Sequence, residues 1–321
     1  MAVFGSVEGT EKTDPHFRLL TDFVYLQRSQ PKKKTIAVDS DSVDCESGCF
    51  TNSVLNTNQL THGYEPGIHA DLAYFMDQKS SYDLGFLYLW ELDHTATRKA
   101  KGVLSVPFRR PSFTRDFTDV DSVTASYKSL FYTGELNYWR SFSSSPSSYF
   151  GLSTVFGIRF ANLKDRFNLE VNKGLDESHY KVSAKNGILG PQVGFNFQIR
   201  PNNQFYWDLL IKAGANLNRI SSKVFLGDVD DTVTLRNFQR QVTQTGVFTE
   251  VALGLGYRPL DWMSFRAGYQ MLYFGGLALG PNQLSFSSAK TRSSAVLTSY
   301  DIADNGYIIL YGIYSGLVFS F

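Results

Sequence analysis

Apolar and polar residues alternate with a period of two along most of this chain. The pattern is cleanest at the C-terminus. Stepping back by twos from Phe321 gives Phe319, Leu317, Ser315, Ile313, Tyr311, Ile309 and Tyr307, all apolar or aromatic except Ser315. The intervening positions include Gly316, Gly312 and Ser320. A strand puts successive side chains on opposite faces, whereas a 3.6-residue helical period would scramble the two sets. Elsewhere Phe205, Trp207, Leu209 and Ile211 oppose Asp208 and Lys212, and Phe265, Ala267, Tyr269, Met271 and Tyr273 oppose Arg266, Gly268 and Gln270. Phe150, Leu152, Phe156, Ile158 and Phe160 oppose Gly151, Ser153, Gly157 and Arg159. In 82–92 the set Tyr82, Leu84, Phe86, Tyr88, Trp90 and Leu92 opposes Asp83, Gly85 and Glu91.

This alternation predicts strands over 17–28, 68–76, 82–92, 130–139, 149–160, 192–200, 205–216, 247–258, 263–274 and 307–321. Each is long enough to cross a bilayer at a tilt. The connections alternate between short (77–81, 140–148, 201–204, 259–262) and long (29–67, 93–129, 217–246, 275–306), while 161–191 reads as two strands continuing past the membrane. Short turns on one side and long loops on the other are the mark of an outer-membrane barrel. A strand ending on an aromatic would leave an apolar sheet edge in a soluble protein, but a closed barrel has no edge. The fold class is therefore all-β, an antiparallel transmembrane β-barrel of about ten strands. Twelve is the alternative, since 29–67 and 93–129 can each hold a further hairpin and 103–108 is the best additional strand. The organisation expected is a periplasmic N-terminal extension over 1–15 and a single barrel domain over 16–321, with both termini on the short-turn side.

Composition agrees and narrows the class. The 321 residues are 15% aromatic, with 26 Phe, 18 Tyr, 4 Trp and 26 Gly, a β-rich makeup that also argues against disorder. The mean hydropathy of -0.19 and the absence of an apolar run of about 18 residues exclude a helical membrane bundle. With 31 basic and 30 acidic residues, the net charge of +1 gives no excess for binding nucleic acid. The first residues lack a charged segment followed by an apolar one, so an exported protein would be represented here by its mature chain. Trp90, Trp139, Trp207 and Trp262 all fall near strand ends and suit interfacial girdles.

Several stretches carry a resemblance: LLTDFVYLQR at 19–28, SVTASYKSLFYTGELNYWR at 122–140, FGIRF at 156–160, AKNGILGPQVGF at 184–195, YRPLDWMSFRAGYQMLY at 257–273, and the terminal Phe321. With them the chain resembles the β-barrel porin family of pore-forming outer-membrane proteins described in planctomycetes, Legionella and chlamydia-like bacteria, over nearly its whole length from Phe17. That resemblance implies a bacterial outer-membrane barrel and a pore, and it names no solute.

The candidate chemistry faces the lumen: Asp22, His69, Asp71, Asp83, Glu91, Glu135, Arg159, Asp208, Lys212, Glu250 and Arg266, with Asn137 and Arg258. Two readings stand. These groups line a polar path for ions or small solutes, which makes the protein a porin-like pore for passive diffusion. Alternatively they pair and fill a narrow barrel, which leaves a structural or adhesive protein acting through its long loops. An omptin-like surface protease is a distant third, resting on Asp93 and His94 opposite Asp230 and Asp231 at the mouth. No nucleophile elbow, phosphate loop or dinucleotide motif is present, so an enzyme is not expected. Cofactors and metals are not expected either: 227–232 (GDVDDT) lacks the spacing of a calcium loop. Cys45 and Cys49 form either a small disulfide loop or two free thiols. Phe319 and Phe321 are expected to be read by the outer-membrane insertion machinery. The remaining partners expected are outer-membrane lipids; the loop cations Lys32, Lys33, Lys34, Arg98, Lys99, Lys101, Arg109, Arg110 and Arg115 read as a solvated surface, or as a contact for lipopolysaccharide or an anion-attracting vestibule.

Overall fold

The computed structural model describes residues 16–40, 52–60, 63–108, 115–142, 149–202, 204–228, 233–286 and 301–321. Cys45, Cys49, Arg109, Arg110, Asp230, Asp231 and the extension over 1–15 lie outside them. Twelve strands are described: β1 (Phe17–Arg28), β2 (Thr35–Asp39), β3 (Ser53–Asn56), β4 (Tyr64–Phe75), β5 (Ser80–Ser105), β6 (Val120–Ser141), β7 (Phe150–Lys173), β8 (Asp176–Ile199), β9 (Phe205–Asp228), β10 (Val233–Leu260), β11 (Met263–Leu277) and β12 (Gly306–Ser320). Ten of them close into an antiparallel ring in the order β1-β4-β5-β6-β7-β8-β9-β10-β11-β12, with β1 pairing β12. The β2–β3 hairpin lies outside the ring. It is the hairpin anticipated within 29–67, and it pairs with the far end of β5 through Val38–Ser105 and Asp39–Leu104.

The outward face explains why these strands belong in a membrane. Phe23, Ile68, Leu84, Leu136, Phe156, Ile158, Val193, Leu253 and Ile313 point away from the barrel and are about half exposed. Rings bracket this apolar band. At the short-turn end Phe17 packs on Tyr74 (5.2 Å), Phe205 on Tyr257 (4.8 Å) and Trp262 on Phe319 (6.3 Å). At the other end Tyr25 stacks on Tyr64 (5.3 Å) and Tyr273 on Tyr307 (5.9 Å). Trp90, Trp207 and Trp262 face outward as expected. Trp139 does not: it is 2% exposed inside the barrel.

The wall is uneven in height. β1, β4, β11 and β12 have 12 to 15 residues, but β5 to β10 have 22 to 28. The continuation expected for β7 and β8 also occurs in β5–β6 and β9–β10, so most of 93–129 and 217–246 is strand. The shorter sequence boundaries have a physical cause. Within the lipid band the apolar side chains point outward. Above it the alternation continues with the faces exchanged: in β7, Phe167, Leu169 and Val171 are buried inside while Arg166, Asn168 and Glu170 face out.

Candidate functional site

The interior is stacked in layers, and the tall strands β6 and β7 run through all of them in the same order. From the short-turn end, β6 presents Trp139, Asn137, Glu135 and Thr133, then Phe131, then Ser129, then Tyr127, Ala125 and Val123. β7 presents Gly157 and Arg159, then Ala161 and Leu163, then Asp165, then Phe167, Leu169 and Val171. A polar layer is thus followed by an apolar one, a thin polar one and a second apolar one.

The first polar layer gathers most of the residues expected in the lumen. Glu135 on β6 accepts from Arg159 (2.5 Å) on β7 and from Lys212 (2.5 Å) on β9. Arg159 also reaches Glu250 on β10, and Lys212 lies 3.8 Å from the same carboxylate. Gln192 donates to Glu135 (2.8 Å) and to Asn137 (2.5 Å). On the opposite wall Arg266 holds Asp22 through two bonds (2.8 and 2.6 Å), and His69 Nδ1 lies 3.0 Å from the same carboxylate. Gly316 makes this possible, since a Cβ there would lie 2.4 Å from the Asp22 carboxylate and 2.0 Å from the Thr21 carbonyl. Asp83 accepts from Asn137 (2.8 Å) and from the Trp139 indole, which accounts for the inward turn of that ring. Asp71 and Asp208 are buried in the same layer; neither Asp208 oxygen, nor Oδ1 of Asp71, has a hydrogen-bond partner among the described residues. A small cavity of about 20 Å³, room for about one water, opens between His69, Glu135, Arg159, Glu250 and Gln270. No group of three or more potential metal ligands is present among the described residues.

Glu91 corrects the sequence expectation. The β5–β6 register shifts between Leu89 and Leu92, so a bulge turns Glu91 outward, where it approaches Arg166 (3.7 Å) with 42% of its side chain exposed. The same bulge brings Leu92 inside. A bulge adds one residue and inverts every later position on its strand. Arg18, Arg28, Asp165 and Arg236 are interior charges absent from the sequence list. Extending the alternation by twos from Asp22 reaches Arg18 and Arg28, and from Arg159 it reaches Asp165.

The first apolar layer crosses the whole barrel. Phe131 on β6 and Phe274 on β11 come from strands five places apart in either direction around the ring, yet their ring centroids are 5.3 Å apart. Phe248 on β10 stacks on Phe274 at 5.9 Å. Val24, Leu26, Leu87, Leu89, Leu163, Ile188, Leu272 and Leu310 complete the layer, joined by Leu277 at the end of β11 and Leu279 just after it. Above it Asp165 accepts two bonds from Arg28 (2.8 and 3.0 Å), one from the Tyr127 hydroxyl (2.6 Å), one from Ser129 (2.9 Å) and one from the Gly280 backbone (3.2 Å). The outermost layer packs Phe167, Leu169, Tyr180, Val182, Val224 and Leu226 of the tall wall against Ile36, Leu55, Leu60, Phe108, Phe117 and Leu284. Segment 277–286 is tied down inside the barrel by Asn186 on Ala278, Tyr180 on Ser285, and the Lys34 ammonium on the Leu284 carbonyl.

Asp93 and His94 do not form a joint site. Asp93 faces outward against Lys128 (2.7 Å), and His94 lies on the opposite face, across from Tyr127.

No protein-family model matches the chain, and no curated protein matches it. Among solved structures it is similar to the outer membrane protease OmpT from Escherichia coli, with a TM-score of 0.51 at 12% identity over 98% of this chain and 100% of that one. Weaker likenesses are to the translocator domain of the autotransporter NalP from Neisseria meningitidis (TM-score 0.42, 7% identity, 97% and 90% covered) and to the toluene transporter TodX from Pseudomonas putida (TM-score 0.38, 10% identity, 96% and 89% covered). At such identities the likeness speaks for the fold alone. Together with the apolar outer band and its aromatic rims, the likeness to the OmpT fold makes this chain an outer-membrane β-barrel.

Proposed function

We propose that this protein is a non-conducting, non-enzymatic outer-membrane barrel that acts through its tall extracellular wall, as a structural or adhesive element. The observation that carries this reading is the contact between Phe131 and Phe274 from opposite sides of the ring. Side chains that meet across the full diameter leave no bore at that level, and a ten-stranded barrel is narrow enough for this to happen. Six adjacent strands then continue beyond the lipid band for roughly ten further residues each, on the order of 30 Å at the rise of a strand. This projection is built as a solid body with an apolar interior. OmpT is named as a protease, but the outward turn of Asp93 away from His94 supports no such site here.

A second reading is the porin-like pore implied by the resemblance to the pore-forming family. The polar lining of the small cavity beside Glu135, Arg159 and Glu250 favours it, since charged groups of both signs face the bore there. Planar bilayer recording separates the two. Folded protein is expected to insert without discrete openings at any voltage the bilayer tolerates. Reproducible single-channel steps would overturn the closed reading and establish the pore.

A further inference from the structure

The outward face of the tall wall changes character directly above the lipid band. The last exposed apolar residues are Phe160 on β7, Leu189 on β8 and Leu217 on β9. Lys164 follows on β7, Lys185 on β8 and Arg219 on β9, two to four residues further from the membrane. At the rise of a strand that is about 7–13 Å, the depth of a headgroup layer. Lys164 stands directly opposite Lys185 in the β7–β8 ladder, and Arg219 stands opposite Gly187, the next outward position beside Lys185. Lys223 continues the row on β9, opposite Ser183 and Gln239.

Like charges directly opposite each other destabilise a sheet. The neighbouring cations are treated differently: Lys128 has Asp93 at 2.7 Å and Arg166 has Glu91 at 3.7 Å. The ladder partners of Lys164, Lys185, Arg219 and Lys223 include no carboxylate. The Lys164 ammonium is held below its ordinary range by slight desolvation and by the charges of Arg166 and Lys185, against an opposing pull from Glu91. The flexible stems of lysine and arginine can reach from the wall to a phosphate at the lipid surface.

We propose that the outward faces of β7, β8 and β9 dock the phosphorylated headgroup of a lipopolysaccharide molecule in the outer leaflet, with Lys164, Lys185 and Arg219 on its phosphates. The cations sit at headgroup height, on strands that are rigidly paired, and beside an apolar surface for the acyl chains. Two of the loop cations have other partners: Lys34 is engaged with Leu284, and Arg98 donates to the Val54 carbonyl.

The test uses the full chain folded in detergent, with bis-phosphorylated lipid A as probe. The Lys164→Gln/Lys185→Gln/Arg219→Gln variant is expected to bind at least tenfold more weakly and to lose most of the salt dependence. Lys99→Gln/Lys101→Gln, far along β5, should bind as the unmodified protein does. Lys164→Arg/Lys185→Arg, which keeps the charge, should also bind normally. Unchanged affinity in the triple variant overturns the proposal. So does equal affinity for dephosphorylated lipid A, or equally good competition by phosphatidylglycerol micelles. Should the triple variant fail to fold, salt-insensitive binding by the unmodified protein decides against it. Lipid binding is read independently of conductance, so failure here leaves the reading of the lumen untouched.

Discussion

Asp165 shows how single residues hold this interior together. It is fully buried and accepts five hydrogen bonds, from Arg28, Tyr127, Ser129 and the Gly280 backbone. Three ring strands and the inserted segment therefore meet on one carboxylate. A buried ion pair gives little net stability over well-packed apolar residues, but breaking one strands a charge and costs roughly 3–5 kcal/mol. Asp165→Leu leaves the Arg28 guanidinium uncompensated between two apolar layers. The temperature at which the folded band converts to the unfolded one in detergent gels should fall markedly. The double variant Asp165→Leu/Arg28→Leu should recover much of the loss. A double variant no more stable than the single one would show that the pair does more than satisfy itself.

At the level of the strands, β12 carries the closure of the ring. Beyond its last paired residue, Phe321 donates to the Phe17 carbonyl (3.0 Å) and accepts from the Phe17 backbone (2.9 Å), and the two rings stack at 6.4 Å. Phe319 packs outside on Trp262. Deleting Phe321 removes the final rung of the seam and its ring contact together. Folded protein in the outer membrane should drop severalfold, measured as the heat-modifiable fraction. Normal levels would show that the seam and the insertion machinery do without it.

β12 was also the most legible element, since its alternation runs unbroken from Tyr307 to Phe321 and every outward position stays apolar, small or aromatic. The ten ring strands, their order and the sides of their turns follow from that period of two. So do Asp22, Glu135, Arg159, Lys212 and Arg266 in the lumen. Glu91 was misplaced because a bulge adds one residue without leaving a mark in composition. The upper halves of β5, β6, β9 and β10 read as loops because the apolar face moves from outside to inside at the edge of the lipid. A period of two locates a face; it does not say whether lipid or a protein core covers it.

For the whole molecule, the order of the layers bears on closure more than any one of them does. The near-neutral net charge conceals an interior in which Glu135, Glu250, Asp22 and Asp165 are each met by a cation. Above the charged layer two apolar layers stand in series. One is centred on Phe131, Phe248 and Phe274; the other joins the tall wall to β2, β3 and 277–286. Truncating a buried phenylalanine to alanine costs about 3–5 kcal/mol, because both transfer energy and packing are lost. The Phe131→Ala/Phe274→Ala protein should therefore be clearly less stable and still pass no current, since the outer layer remains. Replacing 278–285 with a short Gly-Ser linker in that background removes Gly280 from Asp165 and Leu284 from the outer layer, and should produce openings in planar bilayers. Current through the phenylalanine variant alone would show that the outer layer is no seal. A folded combined variant that stays silent would show that the closure lies in the charged layer beneath, among Glu135, Arg159, Lys212 and Glu250.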